Sequence, residues 1–326
     1  MMKLQFLIPQ YKETEETIKI LLDSIALQQN VSMDEIGVII CNDGSNVLLS
    51  EDFLNQYPYK IDYFKEPHRG VSATRNTCLD HATADYVMFC DADDMFFNMI
   101  GLWLIFRDID ENNGFDSLVS VFVEETKNPV TKKLEYINRE NDSTFVHGKV
   151  HKRQYLIDNQ IRFNDNLTIH EDSYFNILCQ NLSDNVKYCQ VPFYMWKWRD
   201  ESVCRHDPKY MLKTFNNFID SNDALTDELI KRNKKDKAMT FSVMMVFDSY
   251  YAMNKPEWIE QENQEYRFKT EKRFAEYFIK HKHFWEEISK EEKMTISNGV
   301  RTRCVMEGMQ MEIETIESWL NRIEEL

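Results

Sequence analysis

Three carboxylates stand directly after an apolar segment in the first third of the chain. Residues 86–90 (Tyr-Val-Met-Phe-Cys) are of strand-forming type, and Asp91, Asp93 and Asp94 follow them. This pattern is typical of a buried parallel strand that ends at a ligand crevice. Alternate residues of an extended chain point to the same side, so Asp91 and Asp93 can face one ion or one ion-bound phosphate. Carboxylate oxygens suit hard divalent cations, although an Asp-rich turn explains the triplet equally well when it is taken alone.

Composition limits the classes of partner. The chain has 326 residues, 43% of them hydrophobic, and a formal net charge of -16. Such a chain can bury a sizeable core, and its charge argues against binding to a nucleic-acid backbone or an anionic membrane surface. An anionic substrate would need a metal or a few placed basic groups. Seven cysteines without a C-x-x-C pair, no signal peptide and no apolar run of membrane-spanning length predict a soluble, cytoplasmic protein with reduced thiols.

Alternating strand and helix signals position these carboxylates. Strands are predicted at residues 4–8, 36–41, 61–65 and 86–90, and helices begin near Thr14 and at Val71. This alternation predicts a mostly parallel sheet with helices on both faces. Ligands of such sheets bind at the carboxyl ends of the strands, where residues 9–13, Asp43 and residues 91–94 should converge.

The following segment carries weaker signals. The predicted elements are a helix over about 98–111, a strand over 117–123, an exposed hairpin within 132–145, a helix ending near Gln160 and a helix over 173–180. Glu171 and Asp172 open the last of these helices, and capping alone could explain them. His147 and His151 have zinc-compatible spacing, but no further ligand follows at a known interval, so a structural role is favoured.

Five ordered motifs together resemble the family 2 glycosyltransferases, inverting enzymes of the GT-A fold that use nucleotide-activated sugars. The motifs are Ile8-Pro9-Gln-Tyr11-Lys-Glu13, Asn42-Asp43-Gly44-Ser45, Gly70-Val-Ser-Ala-Thr-Arg75-Asn76, Asp91-Ala-Asp93-Asp94 and Glu171-Asp172. The resemblance covers roughly residues 3–206. Asn42 departs from it, because the family usually has Asp there, and so do His68 and Arg69.

The resemblance implies roles in nucleotide binding. Pro9, Tyr11 and Glu13 match the loop around the base and ribose, where a ring can stack and a carboxylate can accept ribose hydroxyls. Asp43 matches the acceptor for the N3 hydrogen of uracil, although an Asx-turn is an equally good local explanation. Arg75 matches a basic group near the pyrophosphate, since its planar cation suits phosphate oxygens.

The resemblance also implies the metal ligands and the catalytic base. Asp91 matches a residue at the ribose and the metal, and Asp93 matches the direct metal ligand. Asp172, paired with Glu171, matches the general base that deprotonates the acceptor hydroxyl on the face of the sugar opposite the diphosphate. Two further residues, Arg199 and His206, match a mobile loop that closes on the diphosphate and metal, although a solvated surface histidine explains His206 almost as well.

These observations predict a GT-A catalytic domain over 1–206, with a nucleotide-sugar half to about 97 and an acceptor half from about 98, and a helical domain over 207–326. The predicted function is Mn²⁺- or Mg²⁺-dependent transfer of a sugar to a glycan or other hydroxyl acceptor. A UDP-linked donor is favoured because Asp43 matches the residue that accepts the N3 hydrogen of uracil. One alternative is a catalytically idle sugar- or protein-binding module. The other, a sugar-1-phosphate nucleotidyltransferase, is disfavoured because residues 9–13 lack glycine.

The segment after Pro208 lies outside the resemblance. Apolar residues recur at helical spacing, including Met245, Tyr250, Ile313, Trp319 and Ile323. These stripes must be buried, either against the catalytic domain or against a second subunit in a homo-oligomer. The region is expected to shape acceptor access or assembly and to hold no catalytic group.

Overall fold

The structure is a computed structural model that describes residues 2–111, 114–200, 207, 209–309 and 314–326. The chain divides into two compact units, one within residues 1–202 and the other within 203–326. The domain boundary predicted after residue 206 falls next to residues 201–206, which lie outside the described residues.

The first unit begins with alternating strands and helices. In chain order these are β1 (Leu4–Gln10), α1 (Glu15–Ala26), β2 (Ile36–Asp43), α2 (Glu51–Leu54), β3 (Lys60–Glu66), α3 (Val71–His81) and β4 (Tyr86–Phe89). The four strands lie in the order β3-β2-β1-β4, and every pairing among them is parallel. The predicted α/β fold is therefore confirmed, and the ends of β1, β2 and β4 lie at one edge of the sheet.

The remaining strands make the sheet mixed. The elements are β5 (Met95–Phe96), α4 (Gly101–Glu111), β6 (Ser117–Lys127), β7 (Leu134–Arg139), β8 (Lys149–Lys152), α5 (Arg153–Asp158), α6 (Glu171–Asn181) and β9 (Val186–Trp196). The strand order is β3-β2-β1-β4-β8-β6-β9-β5, with β7 paired antiparallel to β6. The hairpin thus joins residues 117–127 to residues 134–139 rather than lying within 132–145 as predicted. Strand β8 runs antiparallel to both β4 and β6, so the parallel arrangement predicted from the alternation holds fully only in the first half.

Burial follows the sequence pattern. Six of the seven residues of β1 are buried, as expected for a strand covered on both faces. Helix α1 begins after Thr14, whose side chain accepts a hydrogen bond from the backbone N–H of Thr17. Its apolar face, Ile18, Leu21, Leu22 and Ile25, joins the core of the sheet.

The second unit is helical in its described part, as predicted. Its helices are α7 (Tyr210–Lys231), α8 (Lys235–Met253), α9 (Pro256–Ile259), α10 (Gln264–Glu287), α11 (Lys290–Met306) and α12 (Ile316–Glu324). The apolar stripes bury one another inside this unit: Trp319 of α12 stacks on Phe274 of α10 at 5.0 Å and packs against Tyr250 of α8. These residues belong to one buried cluster of the helical unit, whereas Ile313 lies outside the described residues.

None of the described helices combines the length and the hydropathy that a bilayer span requires.

Candidate active site

The three carboxylates after β4 have three different environments. Asp91 is ion-paired with Arg75, at 3.0 Å between Oδ1 and Nη2. Asp93 is ion-paired with Arg199, at 2.7 Å between Oδ2 and Nε. Asp94 is fully buried and accepts hydrogen bonds from the Tyr194 hydroxyl at 2.8 Å and the Lys197 backbone N–H at 3.0 Å. Asp91 and Asp93 keep partly exposed side chains, so they are the two that a ligand can reach.

Arg75 connects the end of β4 to the start of α6. Its Nη1 donates to Glu171 at 2.9 Å and to Asp172 at 2.5 Å, while Nη2 donates to Asp91. The arginine is only 3% exposed. One buried cation thus contacts three carboxylates, the farthest of them 97 residues away in sequence. Arg75 lies in α3, which begins after Gly70, and the position of this helix determines where the three carboxylates meet.

The charge balance of this network shifts two carboxyl groups in opposite directions. Burial raises the pKa of Asp172 well above its ordinary value, and Glu171 and Asp91 add to this, although Arg75 opposes it. Burial would also raise the pKa of Asp91, but Arg75 outweighs it, so the pKa of Asp91 lies below its ordinary value. Asp172 therefore holds a proton more strongly than Asp91 does, as suits a group that takes one up.

The backbone before α6 positions Asp172. His170 has a φ of 64°, in the left-handed region, and the helix begins at the next residue. Glu171 and Asp172 consequently occupy its first turn, where the helix dipole favours negative charge. The second oxygen of Asp172 accepts from the backbone N–H of Val146 at 3.3 Å.

Glu13 and Asp93 lie on either side of the Arg199 guanidinium. Arg199 Nη1 is 3.9 Å from the Glu13 carboxylate, and the other Glu13 oxygen accepts from the Tyr11 backbone N–H at 2.6 Å. Burial raises the pKa of Glu13, and burial together with the charge of Asp91 raises the pKa of Asp93. Arg199 thus provides a positive charge beside two carboxylates whose pKa values are raised. His206, predicted beside it, lies outside the described residues.

The loops after β2 and β3 form the nucleotide end of the predicted site. Asp43 is buried, and its two oxygens accept from the backbone N–H groups of Arg69 at 2.7 Å and Gly70 at 3.0 Å. Gly44 has a φ of +69°, and a Cβ there would lie 2.4 Å from the backbone nitrogen of His68, so the two loops pack backbone to backbone. The His68 ring in turn stacks on Tyr11, at 4.8 Å between centroids.

Asn42, the departure from the family pattern, has a structural role. Its side-chain nitrogen donates to Gln10 at 2.8 Å and to the Val47 carbonyl at 3.0 Å, and its oxygen accepts from the Ser45 N–H. An aspartate could not donate these bonds, so the amide is matched to its surroundings.

The predicted residues thus form two groups. Asp91, Arg75, Glu171 and Asp172 meet directly, and Asp93, Glu13 and Arg199 meet directly. Asp43 ends β2 and contacts the loop after β3, and Tyr11, in the loop after β1, stacks on His68 of that loop. Pro9 lies near the end of β1, in register with Cys41 of β2. Arg75 differs from expectation in one respect: its guanidinium is committed to carboxylates rather than exposed for a diphosphate.

His147 is the site residue that the sequence pattern did not reveal. Asp91, Asp94 and His147 each offer a ligand atom within 4.8 Å of the others. The buried Nδ1 of His147 lies 3.4 Å from Asp94 Oδ2 and has no hydrogen-bond partner among the described residues. Burial lowers the pKa of His147 to about 4, so the ring is neutral near pH 7. His151 instead contacts Ser117 in the sheet, at 2.9 Å. The two histidines therefore do not form a pair, and the H-x-x-x-H spacing carried no information about this contact.

The donor set fits a hard divalent cation. Partly exposed carboxylates and a neutral imidazole nitrogen that has no hydrogen-bond partner among the described residues are donors that such a cation accepts.

The fold and this carboxylate-rich edge define the class of the protein, a GT-A-like α/β unit with its polar residues at the ends of β1, β2 and β4. The sequence model described as Glycosyl transferase family 2 matches residues 6–173, more than half of the chain. The chain belongs to this family.

Characterised relatives and solved structures are similar to it. Glycosyltransferase GlyA of Streptococcus pneumoniae is 25% identical over 226 residues, which cover 62% of this chain and 32% of that protein. Poly(ribitol-phosphate) beta-N-acetylglucosaminyltransferase TarS of Staphylococcus aureus is 26% identical over 191 residues, covering 54% and 32%. The chain thus matches about a third of the length of these relatives. A crystal structure of S. aureus TarS 1-349 with UDP-GlcNAc has a TM-score of 0.67 at 17% identity and covers 99% of this chain and 91% of that one, so the fold is shared.

Proposed function

We propose that the chain is an inverting glycosyltransferase that moves a sugar from a UDP-sugar to an acceptor hydroxyl, with Asp172 as general base. The observation that carries the proposal is the Arg75 network, which holds Asp172 and Asp91 on one guanidinium. It places the candidate base beside the carboxylate that ends β4, where ligands of α/β sheets bind.

Inversion requires a single base. The acceptor oxygen attacks the anomeric carbon as the bond to the diphosphate breaks, and its proton passes to a carboxylate on the attacking side. Asp172 suits this task because its pKa is raised and because Val146 N–H and Arg75 fix its orientation. Glu171 shares the guanidinium and is a positioning residue in this scheme.

Metal dependence is part of the proposal. Asp93 and Asp91 would hold Mn²⁺ or Mg²⁺, with His147 and Asp94 close by. A divalent cation bound there supplies charge neutralisation for the departing diphosphate. Arg199 contributes a second positive group that is already directed at Asp93.

The uracil base of the proposed donor is supported by solved structures of one protein of the same fold and by the surroundings of Asp43. S. aureus TarS 1-349, which shares the fold, has been crystallised with UDP and with UDP-GlcNAc. Asp43 Oδ1 accepts from Arg69 N–H, and Oδ2 accepts from Gly70 N–H and lies 2.9 Å from His68 Nδ1. The second lone pair of Oδ1 is therefore the acceptor that we propose for the N3 hydrogen of uracil. The acceptor would be a glycan or another polyhydroxylated chain.

Ligand-induced stabilisation tests the proposal directly. UDP and UDP-GlcNAc should raise the melting temperature more than CDP, GDP or ADP, and the rise should require Mn²⁺ or Mg²⁺. Asp43→Ala should reduce the difference between UDP and CDP. A preference of the wild type for another base would contradict the donor assignment.

Turnover separates an enzyme from an idle binding module. Hydrolysis or transfer of the bound UDP-sugar, lost on addition of EDTA, is the expected result. Metal-dependent UDP binding without any release of UDP from the sugar nucleotide, under all acceptors tried, would favour the binding module.

A further inference from the structure

Lys149 is a buried lysine that no carboxylate contacts directly. It begins β8 and is only 1% exposed. Its Nζ donates to the backbone carbonyl of Phe145 and lies 3.5 Å from that of His147, and within the described part of the chain no carboxylate forms an ion pair with it. Taking an ammonium group out of water costs free energy, and carbonyl oxygens offset this cost less fully than an ion pair does. A lysine in this position is therefore expected to serve a purpose other than stability.

The Phe145 carbonyl belongs to the peptide group that binds the proposed base. Its oxygen also accepts from the side-chain nitrogen of Asn176 at 2.8 Å. The N–H of the same peptide group, on Val146, donates to Asp172 Oδ2 at 3.3 Å. In a trans peptide group the C=O and the N–H point in opposite directions. Lys149 and Asp172 therefore lie at the two ends of one peptide group.

Helix α6 holds this peptide group at both of its polar ends. Asp172 and Asn176 are four residues apart in α6, so their side chains project from the same face of the helix. Asp172 accepts from the N–H, and Asn176 donates to the C=O. Lys149 adds a charged donor to that oxygen from β8. A charged donor polarises the peptide group and so strengthens the hydrogen bond that its N–H makes.

The two oxygens of Asp172 are held by different groups. Arg75 contacts Oδ1 at 2.5 Å, whereas the Val146 N–H contacts Oδ2. Burial lowers the pKa of Lys149 to about 8, and the charges of Asp142 and Asp172 oppose this, so the ammonium form predominates at pH 7. Each oxygen of the proposed base is thus held by a cation, one directly and the other through a peptide group.

We infer that Lys149 is a positioning residue for sugar transfer: it holds and polarises the peptide group 145–146, whose N–H keeps Asp172 directed at the acceptor hydroxyl. Lys149 is buried in this arrangement and touches neither substrate. The part of the inference that concerns transfer rests on the proposed function. The connection of Lys149 to Asp172 through one peptide group does not.

Replacement of the lysine by methionine separates positioning from stability. Lys149→Met should lower kcat for UDP release from UDP-GlcNAc with Mn²⁺ by about 10- to 100-fold, the range found when groups that orient active-site ligands are removed, and should leave KM nearly unchanged. The melting temperature should not fall, because a thioether of similar length replaces a buried ammonium group. Lys152→Met, which removes an exposed lysine of the same strand, is the matched control and should behave like the wild type.

A double variant shows whether Lys149 acts through Asp172. In an Asp172→Asn background, Lys149→Met should cause little further loss of kcat, because the group that it positions is already inactive. A purely structural role would lower the rate by the same factor in both backgrounds. An equal factor, or a wild-type kcat in folded Lys149→Met, would overturn the inference.

The amide proton of Val146 reports the same connection without any turnover. Phenylalanine labelled with ¹³C at the carbonyl and valine labelled with ¹⁵N together select the two Phe-Val peptide groups of the sequence, 122–123 and 145–146, and Val123→Ile assigns their NMR signals. In the protein without nucleotide, Lys149→Met should move the Val146 amide proton upfield, because its hydrogen bond to Asp172 is weakened. In the Asp172→Asn background the same change should produce a smaller shift.

A second variant guards against a folding defect in Lys149→Met. Asn176→Leu removes the neutral donor to the Phe145 carbonyl and should move the Val146 amide proton in the same direction. The melting temperature reports whether each variant is folded. An unmoved Val146 signal in either folded variant would overturn the inference.

Turnover and the amide signal together distinguish this inference from the proposed function. If the wild type releases UDP from UDP-GlcNAc and Lys149→Met does so equally fast, Lys149 is not a positioning residue and the proposed function stands. If the Val146 signal responds as expected but the wild type releases no UDP from UDP-GlcNAc or other UDP-sugars, the connection to Asp172 stands, and the role in transfer fails together with the proposed function.

Discussion

Each unit of the molecule contains a cluster of two aspartates and a histidine whose ligand atoms lie within 4.8 Å of one another. In the first unit these are Asp91, Asp94 and His147, and in the second they are Asp223, Asp227 and His281. By residue type and spacing alone, both could hold a metal ion. Their surroundings differ in the number of cations that accompany the acids.

The cluster in the helical unit is neutralised by its neighbours. Arg273 and Lys280 of α10 contact Asp223 at 2.8 and 2.7 Å, and Lys280 also pairs with Asp227. His281 contacts Asp223 at 2.9 Å. Despite partial burial, the hydrogen bonds from these groups lower the pKa of Asp223. The positions that a metal would take are already occupied by the protein's own cations.

The cluster at the end of β4 has an excess of acid. Two arginines, Arg75 and Arg199, form ion pairs with Asp91, Asp93, Glu171 and Asp172. The fifth carboxylate, Asp94, accepts hydrogen bonds from Tyr194 and from the Lys197 backbone. Burial raises the pKa of Asp94 well above its ordinary value, and the charges of Asp93 and Asp91 add to this. An unbalanced, buried group of carboxylates costs stability, and such a cost is expected where function requires it. Charge balance therefore distinguishes the proposed site from a structural salt-bridge cluster.

The largest expected effect concerns the base. Asp172→Asn should reduce sugar transfer by about 10²- to 10⁴-fold, because an amide cannot accept the acceptor proton. UDP-sugar affinity should change little, because Asp172 contacts Arg75 and Val146 rather than the nucleotide loops. Initial rates and calorimetric titration measure the two quantities.

Asp227→Asn in the helical cluster is the matched control for that variant, and its transfer rate should equal that of the wild type. If Asp172→Asn lost donor affinity in proportion to its rate, Asp172 would be a binding or capping residue.

The next effect concerns the central arginines of the two clusters. Arg75→Met leaves three buried carboxylates without their cation and should lower the free energy of unfolding by about 3–5 kcal/mol. Arg273→Met should cost less, because Arg273 is more exposed and Lys280 remains beside Asp223. Urea denaturation gives both values. Equal losses would show that the Arg75 network is no more strained than the helical one.

The sequence predicted the strands and helices that carry the two clusters better than it predicted the side-chain contacts within the clusters. The apolar runs before Asp43 and Asp91 correctly located the ends of β2 and β4, since strand periodicity is a local property. The resemblance to a family brought Asp91 and Asp172 into one site. No local signal could show that Arg75 would bridge them, because that contact depends on how α3 and α6 pack.

Tertiary context also decided the remaining residues. His147 precedes β8, and only the antiparallel pairing of β8 with β4 brings it to Asp91 and Asp94. In the helical unit, periodicity identified the apolar faces of α8 and α12 but not their partners. It therefore predicted that Trp319 would be buried without predicting that Phe274 and Tyr250 would cover it.

Substitutions in the two clusters should also differ in their effect on metal-dependent UDP binding. Asp93→Ala should weaken Mn²⁺-dependent UDP binding by about 10- to 100-fold, the range found when groups supporting a metal site are removed. Asp223→Ala should leave that affinity unchanged, because Lys280 and Arg273 already neutralise the helical cluster. Titration of UDP with and without Mn²⁺ measures this, and an Asp93→Ala protein with unaltered metal-dependent affinity would remove Asp93 from the site.

The smallest expected effect is a difference in the pH dependence of stability. The pKa of Asp223 is lower in the folded state than its unfolded value of about 3.9, so its ion pairs stabilise the fold above that pH and are lost as pH falls through the folded-state pKa. Asp223→Asn should therefore be less stable than the wild type at pH 7, by about 1–2 kcal/mol for this partly exposed cluster, and the difference should shrink towards pH 2.

The contribution of Asp172 to stability should change with pH in the opposite direction. Its folded-state pKa is raised, so its contribution to stability is fully present below about pH 3.9 and is lost as pH rises through the folded-state value. Asp172→Asn should thus gain stability over the wild type as pH increases, while Asp223→Asn loses it. Urea denaturation of the three proteins between pH 2 and pH 8 compares the two signs directly. If both variants moved in the same direction, the acid excess at the end of β4 would not be a source of strain, and the contrast between the clusters would reduce to their positions in the fold.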